Sequence, residues 1–169
     1  MENINKISII GAPGSGKTTL AKDLKEIYKL PVIHIDSIHH LRDWKLRDKK
    51  ERDKIILENA RKDKWIMDGT FFDTLKERLE LSDKIIYLRY STCVNLWGAI
   101  KRMIFHLGKE RDEIPGCKDR IDFSFLAYVA TYNFKMRKKI EEELKNISKD
   151  KIIIFNNRRK LNKWLKEQK

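Results

Sequence analysis

The sequence predicts an α/β fold in which a parallel sheet of five strands carries helices on both faces. Short, nearly continuous apolar runs alternate with longer segments of helical period, and the runs are bounded by glycine, proline or aspartate. The first run passes straight into a glycine-rich turn that opens a helix. Such alternation implies right-handed crossovers and parallel strands, and strands apolar along their whole length fit a sheet covered on both sides.

The elements follow in order. Residues 6–10 contain Ile7, Ile9 and Ile10, and the helix after the glycines carries Leu20, Leu24 and Ile27 on one face. A second strand is expected at 32–35, between Pro31 and Asp36, and a third at 65–67, stopping at Asp68 and Gly69. The fourth is 85–88. The fifth, 152–155, follows a polar stretch and precedes a short terminal helix with Leu161, Trp164 and Leu165. Helices are expected over 48–61, 70–81, 92–107 and 122–147. Ile140, Leu144 and Ile147 form an apolar stripe at helical spacing and belong in the core, as do Trp97 and Trp164. The longest irregular stretch is 108–121, with Pro115 and Gly116 near its middle, and a loop of that length is usually functional or mobile.

The chain has 169 residues, which suits one domain over 1–169, and neither a repeat nor a linker breaks it. Its net charge of +13 favours polyanionic partners, although much of the excess is lysine scattered through helical stretches and reads as compositional background. Nucleic acid is therefore expected to bind weakly at most. No apolar run approaches a membrane span and no targeting segment is visible, so a cytoplasmic location and no membrane partner are expected. Cys93 and Cys117 offer neither a disulfide framework nor a zinc site, and adjacent His39 and His40 do not make a metal site on their own.

The chemistry concentrates at strand ends. Gly11, Ala12, Pro13, Gly14, Ser15, Gly16, Lys17 and Thr18 satisfy G-x-x-x-x-G-K-[ST] between a strand and a helix, with Thr19 next in line. Glycines let successive backbone N–H groups turn toward phosphate oxygens, and the helix N-terminus adds partial positive charge. This is the phosphate cradle of a P-loop NTPase, a three-layer fold, and it implies ATP with Mg²⁺. Lys17 is expected to reach the β- and γ-phosphates, and Thr18 to ligate the ion. Asp68 ends an apolar strand as a Walker-B acid does and is the second candidate for Mg²⁺; helix capping is the structural alternative. Asp36, at the end of the second strand, could orient or deprotonate an acceptor hydroxyl. Arg102, Arg111 and Arg120 flank or occupy the 108–121 segment, where mobile cations could close over developing charge.

With those residues in view, the P-loop, His34-Ile35-Asp36, Trp44, Trp65 to Gly69, Leu75, Arg78, Asp83 and Gly116-Cys117 together resemble the DNA topology modulation (FlaR-type) proteins, within the adenylate-kinase-like P-loop kinases. The resemblance covers about residues 6–137. It implies a sheet in the order 2-3-1-4-5, a lid at about 108–121 and a nucleotide base near Asn157 and Arg158. Asp36, Arg78 and Arg120 are the candidates for holding the acceptor. Adenylate kinases carry Phe-Pro-Arg where this chain has Thr70, Phe71 and Phe72, so AMP is not implied as acceptor. Arg89 stands where related sequences often end the fourth strand with an acid.

The sequence thus points to an ATP- and Mg²⁺-dependent phosphotransferase, with Lys17, Asp36, Arg102 and Arg111 as candidate catalytic residues. Its acceptor is small, a nucleoside or nucleoside monophosphate being candidates. A nucleotide-gated nucleic-acid-binding regulator and a plain NTP hydrolase are the alternatives. Neither a helix-turn-helix nor an aromatic-studded basic stripe supports the regulator. Oligomeric state is not legible.

Overall fold

The computed structural model describes residues 4–111 and 113–168, without the side chain of Arg111. Five strands, β1 (Lys6–Gly11), β2 (Val32–His34), β3 (Trp65–Asp68), β4 (Lys84–Leu88) and β7 (Ile152–Phe155), form one parallel sheet in the order β2-β3-β1-β4-β7. This is the expected 2-3-1-4-5 once two strands of a separate ribbon are numbered in chain order. Helices α1 (Lys17–Tyr28), α2 (Ile35–His39), α3 (Lys49–Ala60), α4 (Leu75–Leu81), α5 (Thr92–His106), α6 (Phe123–Lys145) and α7 (Arg158–Gln168) make the connections and cover the faces.

Alternation along β1 divides the core. Ile7 and Ile9 point to one side with Leu20, Leu24, Ile86 and Leu161, whereas Ile10 points to the other with Leu75, Leu79, Ile140 and Leu144. β3 divides likewise: Ile66 joins the first cluster, and Trp65 and Met67 pack with Ile35, Ile56 and Ala60. Each fully buried aliphatic side chain contributes roughly 1.5–3 kcal/mol relative to exposure. The Trp65 indole N–H donates to the Ala60 carbonyl at 3.0 Å, so the largest core side chain leaves no polar atom unpaired. Trp164 packs on Phe155 with ring centroids 5.5 Å apart, as expected of a core residue.

Four expectations need correction. The second strand stops at His34, because Ile35 is drawn into the core beside Trp65 and the Ser37 hydroxyl donates to the His34 carbonyl at 2.7 Å, turning the chain into α2. Residues 70–81 are helical only from Leu75, after a single 3₁₀ turn at Phe72–Thr74. Residues 108–121 are not irregular: β5 (Glu110–Arg111) and β6 (Ile114–Lys118) pair as an antiparallel ribbon. Trp97 is 65% exposed, since α5 turns Asn95, Ala99 and Met103 inward and Trp97 lies about half a helical turn away from Asn95. No helix among the described residues is long and apolar enough to cross a membrane.

Candidate active site

Register places the functional strand ends side by side. Ile9 lies opposite Asp68 and His34 opposite Asp68 on the other flank, so β1 delivers the P-loop beside the ends of β2 and β3. The loop turns through glycines at φ 78° (Gly14) and 93° (Gly16), left-handed values that side chains avoid. No side chain caps α1, so its first amides stay directed toward the loop, as anion binding requires. Ser15 is buried, and its amide donates to the Ala12 carbonyl at 3.2 Å.

Lys17 is half-buried and folds over the loop, its Nζ donating to the carbonyls of Gly11 (3.0 Å) and Ala12 (2.8 Å). Burial lowers its pKa, against the charges of Asp36 and Asp68, which raise it, while Arg102 adds to the lowering. Thr18 donates its hydroxyl to one oxygen of Asp68 at 2.9 Å. The other Asp68 oxygen pairs with His34 Nδ1 at 2.8 Å. Burial opposes the His34 cation, but the Asp68 hydrogen bond and the charges of Asp68 and Glu113 outweigh it, so the His34 pKa is raised. Thr70 ties the end of β3 to the start of the loop, accepting from the Gly11 amide and donating to the Gly11 carbonyl, both at 3.0 Å.

These groups border a cleft of about 1190 Å³. Asp36 is exposed on the first turn of α2 and faces it; Pro13, Gly14, Gly16 and Thr19 line its donor end. Arg102 lines it from α5, with its guanidinium 5.3 Å from the centroid of the Phe125 ring. Arg158 borders the loop, donating to the Gly14 carbonyl at 3.4 Å, while Asn157 accepts from the Lys160 amide and caps α7. Arg120, two residues beyond β6, is exposed and borders the cleft. The Arg111 side chain lies outside the described residues.

Arg78 is the clear departure. It is 0% exposed, and its guanidinium donates to the carbonyls of Gly69 (3.1 Å) and Phe71 (3.0 Å) and to the Thr74 hydroxyl (3.2 Å). Burial pulls its pKa down to about 10, so it keeps its charge at neutral pH. It holds the 69–74 segment and is not among the residues that border the cleft.

Sequence reasoning also passed over several residues. His34 was read only as a strand residue, yet it pairs with Asp68. His39, His40, Trp44 and Phe71 border the cleft, and β6 joins them: the Trp44 amide donates to Cys117 Sγ (3.3 Å) and its indole N–H to the Lys118 carbonyl (2.9 Å). Just before β6, Glu113 pairs with Lys22 of α1 at 2.6 Å. The His39-His40 pair and Trp44 were visible as residues, but no local pattern signalled that they share a wall.

Among the described residues no group of three or more His, Cys, Asp or Glu could hold a metal by itself. Mg²⁺ seldom needs one, because it commonly takes one or two carboxylates, waters and the phosphates of its nucleotide. The hydroxyl of Thr18 and the carboxylate of Asp68, already in contact at the mouth of the loop, fit that donor set.

The structure is similar to a gluconokinase from Sinorhizobium meliloti 1021, at TM-score 0.56 and 16% identity over 99% of this chain and 91% of that one. It is also similar to a shikimate kinase from Bacteroides thetaiotaomicron, at TM-score 0.61 and 18% identity over 97% and 96%. The chain shares the fold of these two structures, a three-layer α/β P-loop fold. No family model and no curated protein sequence matches it, and these likenesses lend no support to the topology-modulation resemblance.

Proposed function

We propose that this chain is an ATP- and Mg²⁺-dependent phosphotransferase that moves the γ-phosphoryl group onto a hydroxyl of a small acceptor. The observation that carries the reading is the contact of Thr18 with Asp68 beside Lys17 at the P-loop, with Asp36 facing the same cleft from α2. The kinds of compound named for the two similar structures, a gluconate-type acid and shikimate, are hydroxylated small molecules, in keeping with it.

In this reading the loop amides and the α1 N-terminus hold the phosphates, and Lys17 exchanges its two carbonyl partners for the β/γ oxygens. Thr18 and Asp68 hold Mg²⁺, which when bound neutralises charge on the phosphate oxygens. Asp36 takes the proton of the acceptor hydroxyl as its oxygen bonds to the γ-phosphorus and the bond from that phosphorus to the bridging oxygen breaks, releasing ADP. Arg102 lies where it can meet charge spreading over the transferred group. Arg120 approaches from the lid.

The test is ADP formation from ATP and Mg²⁺ across a panel of small alcohols, for the native chain and Lys17→Ala. Acceptor-dependent ADP release that drops by roughly 10²–10³ or more in the variant is expected, the scale of losing one donor to transition-state charge. A folded native chain that releases no ADP with any acceptor would end the proposal.

A further inference from the structure

The acceptor side of the cleft has a composition of its own. Phe71, His39, His40 and Trp44 form an unbroken run of rings, with successive centroids 4.8, 4.6 and 5.3 Å apart. All four are half-buried and border the cleft. They come from three separate stretches: the end of α2 and its C-cap supply the two histidines, the turn before α3 supplies Trp44, and the segment after β3 supplies Phe71. Trp44 is held by both of its N–H groups against β6, and it and Asp43 keep left-handed backbone values of φ 60° and 58°, so its ring is fixed by the lid and not by local preference. Burial, followed by the charges of His40 and Arg52, lowers the His39 pKa, which keeps that ring neutral at neutral pH.

Among the described residues, the cations beside Phe71 are matched before any acceptor arrives, whereas Arg120 is exposed where it borders the cleft. Arg52, 7% exposed, lies over the Phe71 ring, and its guanidinium pairs with Asp53 at 2.6 Å and Asp73 at 2.7 Å. Lys49 also pairs with Asp73, at 2.7 Å. An anionic acceptor group laid there would face two carboxylates beside one guanidinium. Arg78 is committed to backbone carbonyls. Arg158 and Arg102 belong to the donor end, beside Gly14 and within electrostatic reach of Lys17.

We infer that the acceptor is an uncharged alcohol carrying a planar heteroaromatic ring, of the nucleoside kind, whose ring lies against the wall of Phe71, His39, His40 and Trp44. The inference rests on the phosphotransferase reading for its reaction, while the ring subsite itself can be tested by binding. Stacking on aromatic faces tolerates any planar ring and needs no counter-charge, which matches a wall of π-surfaces over a neutralised arginine.

The experiment has two arms. In the first, binding of adenosine, guanosine, cytidine, uridine, thymidine and pyridoxine is followed by tryptophan fluorescence in the native chain and in Trp44→Phe and His40→Ala. Saturable quenching by at least one of these, absent in Trp44→Phe and with affinity weakened on the order of 10-fold in His40→Ala, is expected from the worth of one stacking contact. No saturable quenching by any of them overturns the inference, whatever the turnover. In the second arm, labelled ATP is offered with the same alcohols, with the 5′-monophosphates of the nucleosides, and with gluconate and shikimate. Transfer is expected to a ring alcohol, and higher kcat/KM for a monophosphate or for either non-aromatic acid overturns the inference while leaving the phosphotransferase reading intact. Quenching without transfer to anything upholds the ring subsite and removes the phosphotransferase reading instead.

Discussion

Gly14 and Gly98 touch with no room for a methyl group between them. A Cβ on Gly98 would lie 2.1 Å from the Gly14 carbonyl oxygen, and one on Gly14 would lie 2.1 Å from the carbonyl oxygen of Asn95. The P-loop is therefore seated on the backbone of α5. An alanine inside a helix ordinarily gains about 0.8–1 kcal/mol over glycine. Here overpacking should outweigh that gain, and Gly98→Ala is expected to lose about 1–3 kcal/mol of stability and to weaken ATP binding as the loop is displaced. Urea unfolding and ATP titration check it; a raised midpoint with unaltered ATP affinity would refute the contact.

Asp36→Asn separates chemistry from donor binding. If the carboxylate takes the acceptor proton, kcat falls by roughly 10²–10⁴ while the KM for ATP stays close to native, because the lost interaction belongs to the transition state. Steady-state kinetics with ATP and acceptor varied separately measure this. Parallel losses in kcat and ATP affinity would instead mark Asp36 as part of the donor site.

Arg78→Met should act on folding and not on the acceptor. The substitution keeps much of the apolar stem but leaves the carbonyls of Gly69 and Phe71 without their charged donor, a loss on the order of 1.5–3 kcal/mol for each hydrogen bond to a charged group. The expected result is a lowered unfolding midpoint with little change in acceptor KM for the molecules that remain folded. A tenfold rise in acceptor KM at native stability would restore Arg78 to the acceptor site.

His39 gives the stability a definite pH slope. Its folded pKa is lowered from 6.5, chiefly by burial, so between the folded value and 6.5 the unfolded chain binds more protons than the folded one. The contribution of this residue is complete above 6.5 and declines as pH falls through that window. Comparing urea midpoints at pH 7.5 and 5.5 in the native chain and in His39→Asn isolates it: the variant should lose less stability on acidification. An equal or larger loss in the variant would show that His39 is not the group responsible.

The donor half of the cleft was legible because it is local. Gly11 to Thr18 lie in one stretch whose φ values and helix start are written in glycines, and Asp68 follows an apolar strand whose parallel register is forced by burial on both faces. The acceptor half was not, because it depends on contacts across long spans of chain. Trp44 takes its position from Cys117 and Lys118, more than 70 residues away, and no propensity favours two consecutive left-handed residues at Asp43 and Trp44. The strands of the 110–118 ribbon are hidden for a similar reason: β5 is two residues long and offers no alternation to read. Arg78 lies buried and Trp97 exposed because burial along a helix is decided by the elements packed against it, which composition does not reveal.

The double hydrogen bond between Thr70 and Gly11 draws a boundary through the molecule. It fastens the end of β3 to the phosphate loop, and the adjoining Asp68 to Thr18 contact fastens it again to α1, so the loop geometry is kept by two strand ends and one helix start. The ring wall hangs mainly from residues 39–44 and from the β5–β6 ribbon, outside that fastening. If that wall takes the acceptor, substitutions there can alter acceptor preference without disturbing the phosphate cradle, so the two halves of the cleft are separable parts for redesign.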